Sequence, residues 1–373
     1  MRIAWISDFD LTGSGYLNLS VPMCEGLAKN GHDVKAIGLH YKGQQHDWNF
    51  SVFPTGNLED AFGVLQNLLV LWKFDILFVA LDIFLQAMIL QRLQNVRGDF
   101  KYIGIMPVEA DPLCMSWAMI LMQMDKPLII SEFGANEAKK AGVMNAEHLQ
   151  LGINTKIWRF PTPEERDEIR SAFAFDDEMF VLLTVADNQE RKNLSRTMEI
   201  FAEFAEDKEN TRYVLVTREH NVLGWRLRDY AQVLGMNNKF ILLERGMDFK
   251  KLWAIYAMSD CFILTSKAEG LGLPLLEAMA VGVPCIATNC TAIPELLGDN
   301  RGLLVPHDYK YVDPFGNGHR YWASKDEGVK LLQGLFDGEN VPDTAGAREY
   351  VEGRTWEIAV DQLENAMKEM KNG

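Results

Sequence analysis

The sequence is poor in the residues that build metal sites and disulfide frameworks. Its 373 residues include five cysteines and seven histidines, with no Cys-x-x-Cys pair and no His-Glu-x-x-His spacing. We therefore expect no metal site. The odd number of cysteines and their apolar neighbours predict reduced, mostly buried thiols, which are typical of a cytoplasmic protein.

Basic residues are also scarce. The chain carries 37 lysines and arginines against 52 aspartates and glutamates, which gives a formal net charge of −15. This excess argues against sustained contact with nucleic acid or an anionic membrane, but it leaves room for a small basic pocket. The longest apolar stretches, 62–72 and 76–83, are too short or too interrupted to span a membrane. Residues 1–7 predict a strand rather than a signal peptide, so we expect a cytoplasmic location.

Strand-like and helix-like segments alternate along the chain, which predicts α/β domains built on parallel sheets. A Gly- and Pro-containing stretch, 149–163, predicts a linker between two such series. The predicted strands are 2–7, 32–39, 74–81, 102–106 and 127–130 before the linker, and 180–185, 213–217, 240–243, 261–264, 285–288 and 303–305 after it. Residues 306–321 are predicted to form a loop, and 350–370 an amphipathic helix.

The most informative segment is Ser-Lys-Ala-Glu-Gly-Leu-Gly-Leu-Pro-Leu-Leu-Glu-Ala-Met-Ala-Val-Gly-Val-Pro, residues 266–284. Glu269 lies in a glycine-rich turn after an apolar strand, and Glu277 lies about one turn into the helix that begins near Pro274. The amides and positive dipole end of a helix N-terminus attract anions. Because a carboxylate cannot bind phosphate, the two glutamates are expected to face sugar or ribose hydroxyls. The segment therefore predicts a sugar-nucleotide site.

The same segment resembles the Glu-x7-Glu signature of the retaining glycosyltransferases of family four. The resemblance covers nearly the whole chain, strongly from about residue 130 to 306. It implies an α/β chain with the GT-B fold, in which two Rossmann-like doubly wound domains face each other across a cleft. The domains would be residues 1–153 on the acceptor side and 154–353 on the donor side. A C-terminal helix, about 354–373, would cross back to the first domain.

The resemblance also implies roles for the residues of this segment. The glutamate that matches Glu277 binds ribose hydroxyls in the family, and the one that matches Glu269 contacts the donor sugar. Backbone amides of the intervening loop would stabilise the diphosphate. The donor-binding residues predicted in this loop are Gly270, Leu271, Gly272 and Leu273.

A second segment, Val-Ala-Asp-Asn-Gln-Glu-Arg-Lys-Asn at 185–193, resembles the family's (Gly/Ala)-Arg-Asn-Gln-x-Arg-Lys-Asn motif. Arg191 and Lys192 match its basic residues and are predicted to neutralise the donor diphosphate. The motif's leading arginine is replaced by Asp187, whose carboxylate would repel a diphosphate unless another cation lies between them.

Two loops of the first half supply further candidates. Gly13 and Gly15 permit close backbone approach to a ligand at the next helix start, where family members face the donor phosphate and acceptor. Glu109 and Asp111 are candidates to bind acceptor hydroxyls, or equally to cap the next helix. Asp8 and Asp10 form an Asp-x-Asp pair, but its place after the first strand favours shaping the loop over binding a metal.

The resemblance predicts a metal-independent hexosyltransferase that needs no cofactor. The donor would be a UDP- or GDP-sugar, and the sugar would pass to an acceptor hydroxyl with retention by a front-face mechanism. The alternative is a degenerate sugar-nucleotide-binding subunit without transfer activity, which Asp187 alone supports. A nucleotide-sugar epimerase or a phosphorylase of similar fold is a further alternative, against which the Gly-Leu-Gly-Leu-Pro sequence argues.

Overall fold

The structure is a computed structural model that describes residues 1–94, 98–222, 224–236 and 238–372. The strands, in chain order, are β1 Arg2–Asp8, β2 Asp33–Leu39, β3 Ser51–Thr55, β4 Ile76–Ala80, β5 Lys101–Met106, β6 Lys126–Ile129, β7 Glu147–His148, β8 Phe180–Val185, β9 Thr211–Thr217, β10 Phe240–Glu244, β11 Cys261–Leu264, β12 Cys285–Thr288, β13 Leu303–Val305, β14 His307–Val312 and β15 His319–Ala323.

The helices, in chain order, are α1 Gly15–Lys29, α2 Leu58–Leu71, α3 Ile83–Leu93, α4 Met115–Leu121, α5 Glu132–Lys140, α6 Pro163–Ala172, α7 Leu194–Phe204, α8 Leu227–Val233, α9 Phe249–Ala257, α10 Leu273–Val281, α11 Ile293–Leu297, α12 Lys325–Phe336, α13 Thr344–Glu352 and α14 Trp356–Asn372. A short 3₁₀ helix, Glu190–Lys192, precedes α7. In the part of the chain that is described, no helix combines the length and the apolar character needed to cross a membrane.

The chain divides into two compact units. Unit 1 comprises residues 1–152, 315–318 and the chain from Arg354 onward, and unit 2 comprises residues 153–314 and 319–353. The hairpin tip at 315–318 therefore belongs to unit 1 although it lies within the segment 154–353.

Unit 1 is built on a parallel sheet with the strand order β3-β2-β1-β4-β5-β6-β7. Every residue of β4, Ile-Leu-Phe-Val-Ala, is buried, because helices cover both faces of a parallel sheet. The last helix, α14, packs on α1, where Gly26 leaves space for the side chain of Val360. Gly152 lies against the backbone of Thr355 and Trp356, so the chain leaves unit 1 and re-enters it at neighbouring points.

Unit 2 is built on a second parallel sheet with the order β10-β9-β8-β11-β12-β13. Strand β8 lies between β9 and β11, so the strand order reverses beside it. In open α/β sheets, ligands bind outside the carboxyl ends of the strands at such a reversal. The loops that follow β8 and β11 are therefore expected to form the ligand-binding site.

Two predictions about secondary structure are wrong. Residues 306–321 are not a loop, because β14 and β15 form an antiparallel hairpin. Tyr, Val and Trp side chains favour strands, and Gly and Asp occupy mainly the connecting turn. Residues 350–370 are not one helix either, since α13 ends at Glu352 and α14 begins at Trp356. Thr355 accepts a hydrogen bond from the Ile358 amide and so starts a new helix.

Candidate functional site

The loops after β8 and β11 are tied together at the point where the strand order of unit 2 reverses. The Lys267 amide donates to the Arg191 carbonyl at 2.8 Å, and Arg191 Nη1 donates to the Ala268 carbonyl at 2.6 Å. Because these bonds join the two predicted motifs directly, Arg191 and Lys192 are brought to the glutamate that follows β11.

Glu269 is enclosed by cations and hydrogen-bond donors. Its side chain is only 5% exposed, Lys192 Nζ lies 2.6 Å from Oε1, and Arg191 Nη1 lies 3.2 Å from Oε2. The Ser266 hydroxyl donates to Oε1 at 2.6 Å. Burial alone would raise the pKa of Glu269, but the charges of Lys192 and Arg191, with hydrogen bonds from Lys192 and Ser266, lower it to about 2. Glu269 is therefore a carboxylate held in a cationic pocket.

The glycine loop after Glu269 leads directly into α10. Gly272 is the N-cap residue and has φ +103°, a left-handed conformation that a side chain would strain. Pro274 lies in the first turn of α10, as predicted from the sequence. The loop residues Gly270 to Leu273 thus lie between Glu269 and the positive end of the α10 dipole.

Glu277 lies inside α10 in a different environment. It is 7% exposed, and its Oε2 accepts a hydrogen bond of 2.8 Å from the hydroxyl of Tyr256 on α9. Burial raises the pKa of Glu277 to about 7, and the Tyr256 hydrogen bond opposes that rise. Tyr256 was not among the residues singled out in the sequence, because it lies on another helix, before Glu277 in the chain.

Asp187, the residue that departs from the family motif, lies between two arginines. Its Oδ1 is 3.3 Å from Arg218 Nε and 3.3 Å from Arg245 Nη1. Gln189 donates to Oδ2 at 3.2 Å. These arginines follow β9 and β10, so they reach Asp187 only through the strand order of the sheet. Spacing along the chain carries no signal that links them to Asp187.

Two further buried groups accompany this site. Asn193, in the left-handed region at φ 51°, is fully buried, and neither polar atom of its side chain has a hydrogen-bond partner. Lys267 is buried, pairs with Glu190, and lies 4.2 Å from the ring centroid of Trp322. Burial is the largest influence on the pKa of Lys267 and lowers it. Lys267 thereby fastens the β14–β15 hairpin to the loop that carries Glu269.

The remaining predicted residues lie in unit 1. Gly13 has φ +112°, and Gly15, at the start of α1, faces open space where a side chain would project. Asp10 accepts from the amide and hydroxyl of Thr12, so it shapes this loop as predicted. Glu109 and Asp111 follow β5, half-buried, at the carboxyl edge of the unit 1 sheet. Across the described ranges, no group of three or more His, Cys, Asp or Glu side chains could hold a metal ion.

Comparison with known proteins finds a family match for part of the chain. Residues 165–311 match the family described as Glycosyl transferases group 1, in agreement with the predicted resemblance to a glycosyltransferase. The chain is 27% identical over 150 residues to the serotype-specific mannosyltransferase WbdA of Escherichia coli, which is 40% of this chain and 18% of WbdA. The chain thus spans less than a third of the length of the first curated relatives that it matches.

Solved structures match over the whole chain. Sucrose-phosphate synthase from Thermosynechococcus elongatus superposes with a TM-score of 0.77 at 15% identity, covering 100% of this chain and 99% of that one. Anabaena HepE in complex with UDP and glucose also gives 0.77, at 13% identity, covering 99% of this chain and 100% of that one. These similarities confirm the GT-B fold with two Rossmann-like domains.

Proposed function

We propose, from the membership of residues 165–311 in the group 1 glycosyltransferases, that the chain transfers a sugar from a nucleoside diphosphate sugar to an acceptor hydroxyl. The observation that carries the proposal is the contact of Glu269 with Arg191 and Lys192 where the strand order of unit 2 reverses. The two cations lie within 3.2 Å of the carboxylate. The carboxylate could bind a sugar hydroxyl, and the cations could bind a diphosphate next to it.

Arg191 and Lys192 are the proposed phosphate ligands. An arginine can hold a phosphate with two parallel hydrogen bonds, and a lysine acts as a point charge. Since both cations contact Glu269 here, an incoming diphosphate would take over these contacts and leave the carboxylate to a sugar hydroxyl. The amides at the N-terminus of α10 would add to the stabilisation of the departing diphosphate.

Glu277 is the proposed ligand of the ribose. Its buried position on α10 and its hydrogen bond to Tyr256 fix the direction of the carboxylate. A ribose that donates two hydroxyl hydrogen bonds would compensate for the burial of the charge. This expectation agrees with the role of the matching glutamate in the family.

We propose retention of the anomeric configuration by a front-face route. In this route the leaving phosphate oxygen accepts the proton of the acceptor hydroxyl, so no side-chain nucleophile is needed. Glu269, with its pKa of about 2 and its two ion pairs, is suited to binding a sugar rather than donating a proton. Arg191 and Lys192 can supply the positive charge that a metal ion supplies elsewhere, so we propose a metal-independent reaction.

The proposed donor is a UDP- or GDP-sugar. WbdA is a mannosyltransferase by name, and HepE was solved with UDP and glucose, which supports a hexose donor without fixing the base. The proposed acceptor-side residues are Glu109 and Asp111, and Gly13 and Gly15 are proposed to approach the donor. We also propose a cytoplasmic location.

The rival interpretation, a binding subunit without turnover, rested on the charge of Asp187. That carboxylate lies 3.3 Å from each of two arginines, so its repulsion of a diphosphate is offset within unit 2. The arrangement therefore favours an active transferase over the subunit.

A ligand panel followed by a transfer assay tests the proposal. Thermal shifts with UDP, GDP, ADP and their glucose and mannose conjugates would identify the donor, because a bound ligand raises the unfolding temperature. We expect a shift with one nucleoside diphosphate and a larger one with its sugar. Proton NMR of the product from that donor and a simple glycoside acceptor, with EDTA present, would show retained configuration. Absence of any shift would refute the proposal, and donor binding without hydrolysis or transfer would revive the subunit.

A further inference from the structure

A second group of charges lies beside Glu269 and its cations, on the other side of β8. It consists of Asp187, Arg218 and Arg245, which follow the three adjacent strands β8, β9 and β10. Backbone hydrogen bonds hold these strand ends in register, because the Ala186 amide donates to the Val216 carbonyl at 3.1 Å and the Arg245 amide to the Thr217 carbonyl at 3.0 Å. The group is therefore fixed by the sheet, at the edge where ligands bind.

The carboxylate of this group is less exposed than the two arginines. The side chain of Asp187 is 16% exposed, that of Arg245 is 21% exposed and that of Arg218 is 43% exposed. The buried Oδ1 of Asp187 contacts both guanidinium groups at 3.3 Å but has no well-aligned hydrogen bond. Arg218 Nη2 also donates to Oδ2 of Asp187 at 3.4 Å, so Asp187 holds Arg218 by charge and a hydrogen bond and lies in ion-pair contact with Arg245.

The residue next to Asp187 fixes the loop that continues from Arg218. Asn188 is fully buried, and its side chain donates to the Trp225 carbonyl and accepts from the Trp225 amide, both at 2.9 Å. Asp187 and Asn188 therefore both contact the loop that follows β9. Asp187 does so through the charge of Arg218, and Asn188 through its hydrogen bonds to Trp225. Asn188 also donates to the Glu219 carbonyl at 3.3 Å, so the backbone next to Arg218 is held in place.

The charges of the two groups are equal. Arg191 and Lys192 bracket Glu269, and Arg218 and Arg245 bracket Asp187, so each group carries two positive charges against one negative. Together these six side chains carry a surplus of two positive charges, in a chain whose net charge is −15. The diphosphate of a sugar nucleotide carries two negative charges, so the surplus matches this ligand.

We propose that Arg218 and Arg245 form a second phosphate-binding subsite for the donor, and that Asp187 is the positioning residue that holds them there. This inference rests on the proposed sugar-nucleotide function. It means that the positive charge of the family's leading arginine has not been lost at position 187. The charge has moved to the ends of β9 and β10, and the carboxylate at 187 is the counterion that anchors it.

The proposal gives a prediction opposite to that of the family motif. If position 187 simply lacks its phosphate ligand, Asp187→Arg should improve donor binding. If Asp187 anchors two arginines, Asp187→Arg places three guanidinium groups together and weakens binding. The double variant Asp187→Arg/Arg245→Asp restores the balance of one carboxylate and two cations and should recover most of the affinity.

The experiment measures the dissociation constants of inorganic pyrophosphate and of the nucleoside diphosphate that binds the wild-type chain, by calorimetry. We expect Arg245→Ala and Arg218→Ala each to weaken both ligands about tenfold or more. Asp187→Arg should weaken them similarly, and the swapped double variant should return to within a few fold of wild type. The matched control is Arg228→Ala, whose exposed arginine pairs with Glu219 and should leave both constants unchanged.

Unfolding temperatures without ligand separate binding from folding, since a loss of affinity at unchanged stability cannot come from misfolding. Wild-type affinity in both Arg→Ala variants, with binding lost in Lys192→Ala, would overturn this inference and leave the proposed function standing. Tighter binding by Asp187→Arg would overturn the positioning role. No binding of any nucleoside diphosphate by the wild-type chain would overturn the proposed function and this inference together.

Discussion

Glu269 and Glu277 belong to one loop–helix segment, yet unit 2 keeps them in opposite states. Both are buried, but Glu269 has Lys192 and Arg191 within 3.2 Å and a pKa lowered to about 2. Glu277 contacts the neutral hydroxyl of Tyr256, and burial raises its pKa to about 7. The difference shows that burial raises the pKa of a carboxylate unless charged partners outweigh it.

The two states have different consequences for stability. The ion pairs of Glu269 stabilise the fold above pH 4.5, and this stability is lost as the pH falls towards about 2. The charged form of Glu277 instead destabilises the fold near neutral pH. A residue kept at a cost in stability is typical of a binding site, because the ligand supplies the missing contacts. Under the proposed function, a ligand would supply the contacts that Glu277 lacks and would take over the cations that Glu269 already contacts.

The largest effect is expected from Glu269→Gln, which removes the charge and keeps the shape. Turnover should fall about 10²- to 10³-fold, as for other groups that act in the transition state. The affinity for the nucleoside diphosphate should rise, because the carboxylate no longer competes for Arg191 and Lys192. Steady-state kinetics and calorimetry measure the two quantities. An equal loss in both would contradict the assignment of Glu269 to the sugar.

The next effect is a gain of stability in Glu277→Gln. In the folded wild type the pKa of Glu277 is about 7, whereas its ordinary value is 4.5. Between pH 4.5 and 7 the folded state therefore keeps a proton on Glu277 that the unfolded state has lost. Wild-type stability therefore falls as the pH rises from about 4.5 to 7 and is constant above. The variant lacks this loss and should be more stable by about 3 kcal/mol at pH 8 and equal at pH 4.

Urea unfolding across this pH range measures the gain, and calorimetry should show weaker binding of the nucleoside diphosphate by the same variant. Glu349→Gln, on the exposed side of α13, is the matched control. If the stability of wild type and of Glu277→Gln changed with pH in the same way, the charged form of Glu277 would not destabilise the fold. Glu277 would then resemble Glu269.

The smallest effect is expected from Ser266→Ala, which removes one hydrogen bond to Glu269 and leaves both cations. We expect a loss of about 1 kcal/mol at pH 7. Because that hydrogen bond helps to lower the pKa of Glu269, the acid unfolding midpoint should move to higher pH. Ser171→Ala, exposed on α6, is the control. An unchanged acid midpoint would mean that the two cations alone fix the charge of Glu269.

The fold and one side of the site could be predicted from the sequence because their signals are local. Apolar runs such as 180–185 and 261–264 mark buried parallel strands, and Pro274 marks the start of α10. The family motifs place Arg191, Lys192 and Glu269 after the ends of two strands, β8 and β11. Their contact is present in the structure, while their catalytic roles stay predictions.

The rest depends on which strands become neighbours. Arg218 and Arg245 reach Asp187 because β9 and β10 follow β8 outward in the sheet, an order that spacing along the chain does not reveal. Tyr256 meets Glu277 because α9 packs on α10. The hairpin β14–β15 was missed because its Gly- and Asp-rich turn dominated the composition of a short segment.

The packing of α14 on α1 has a consequence for how the protein is made. Helix α1 lies near the start of unit 1, but Val360, which fills the space left by Gly26, is translated only after all of unit 2. On a ribosome, unit 2 can therefore complete its core while α1 still exposes an uncovered apolar stripe. The nascent chain must protect this stripe until α14 emerges, so a truncation before Arg354 would leave unit 1 open even though unit 2 is whole.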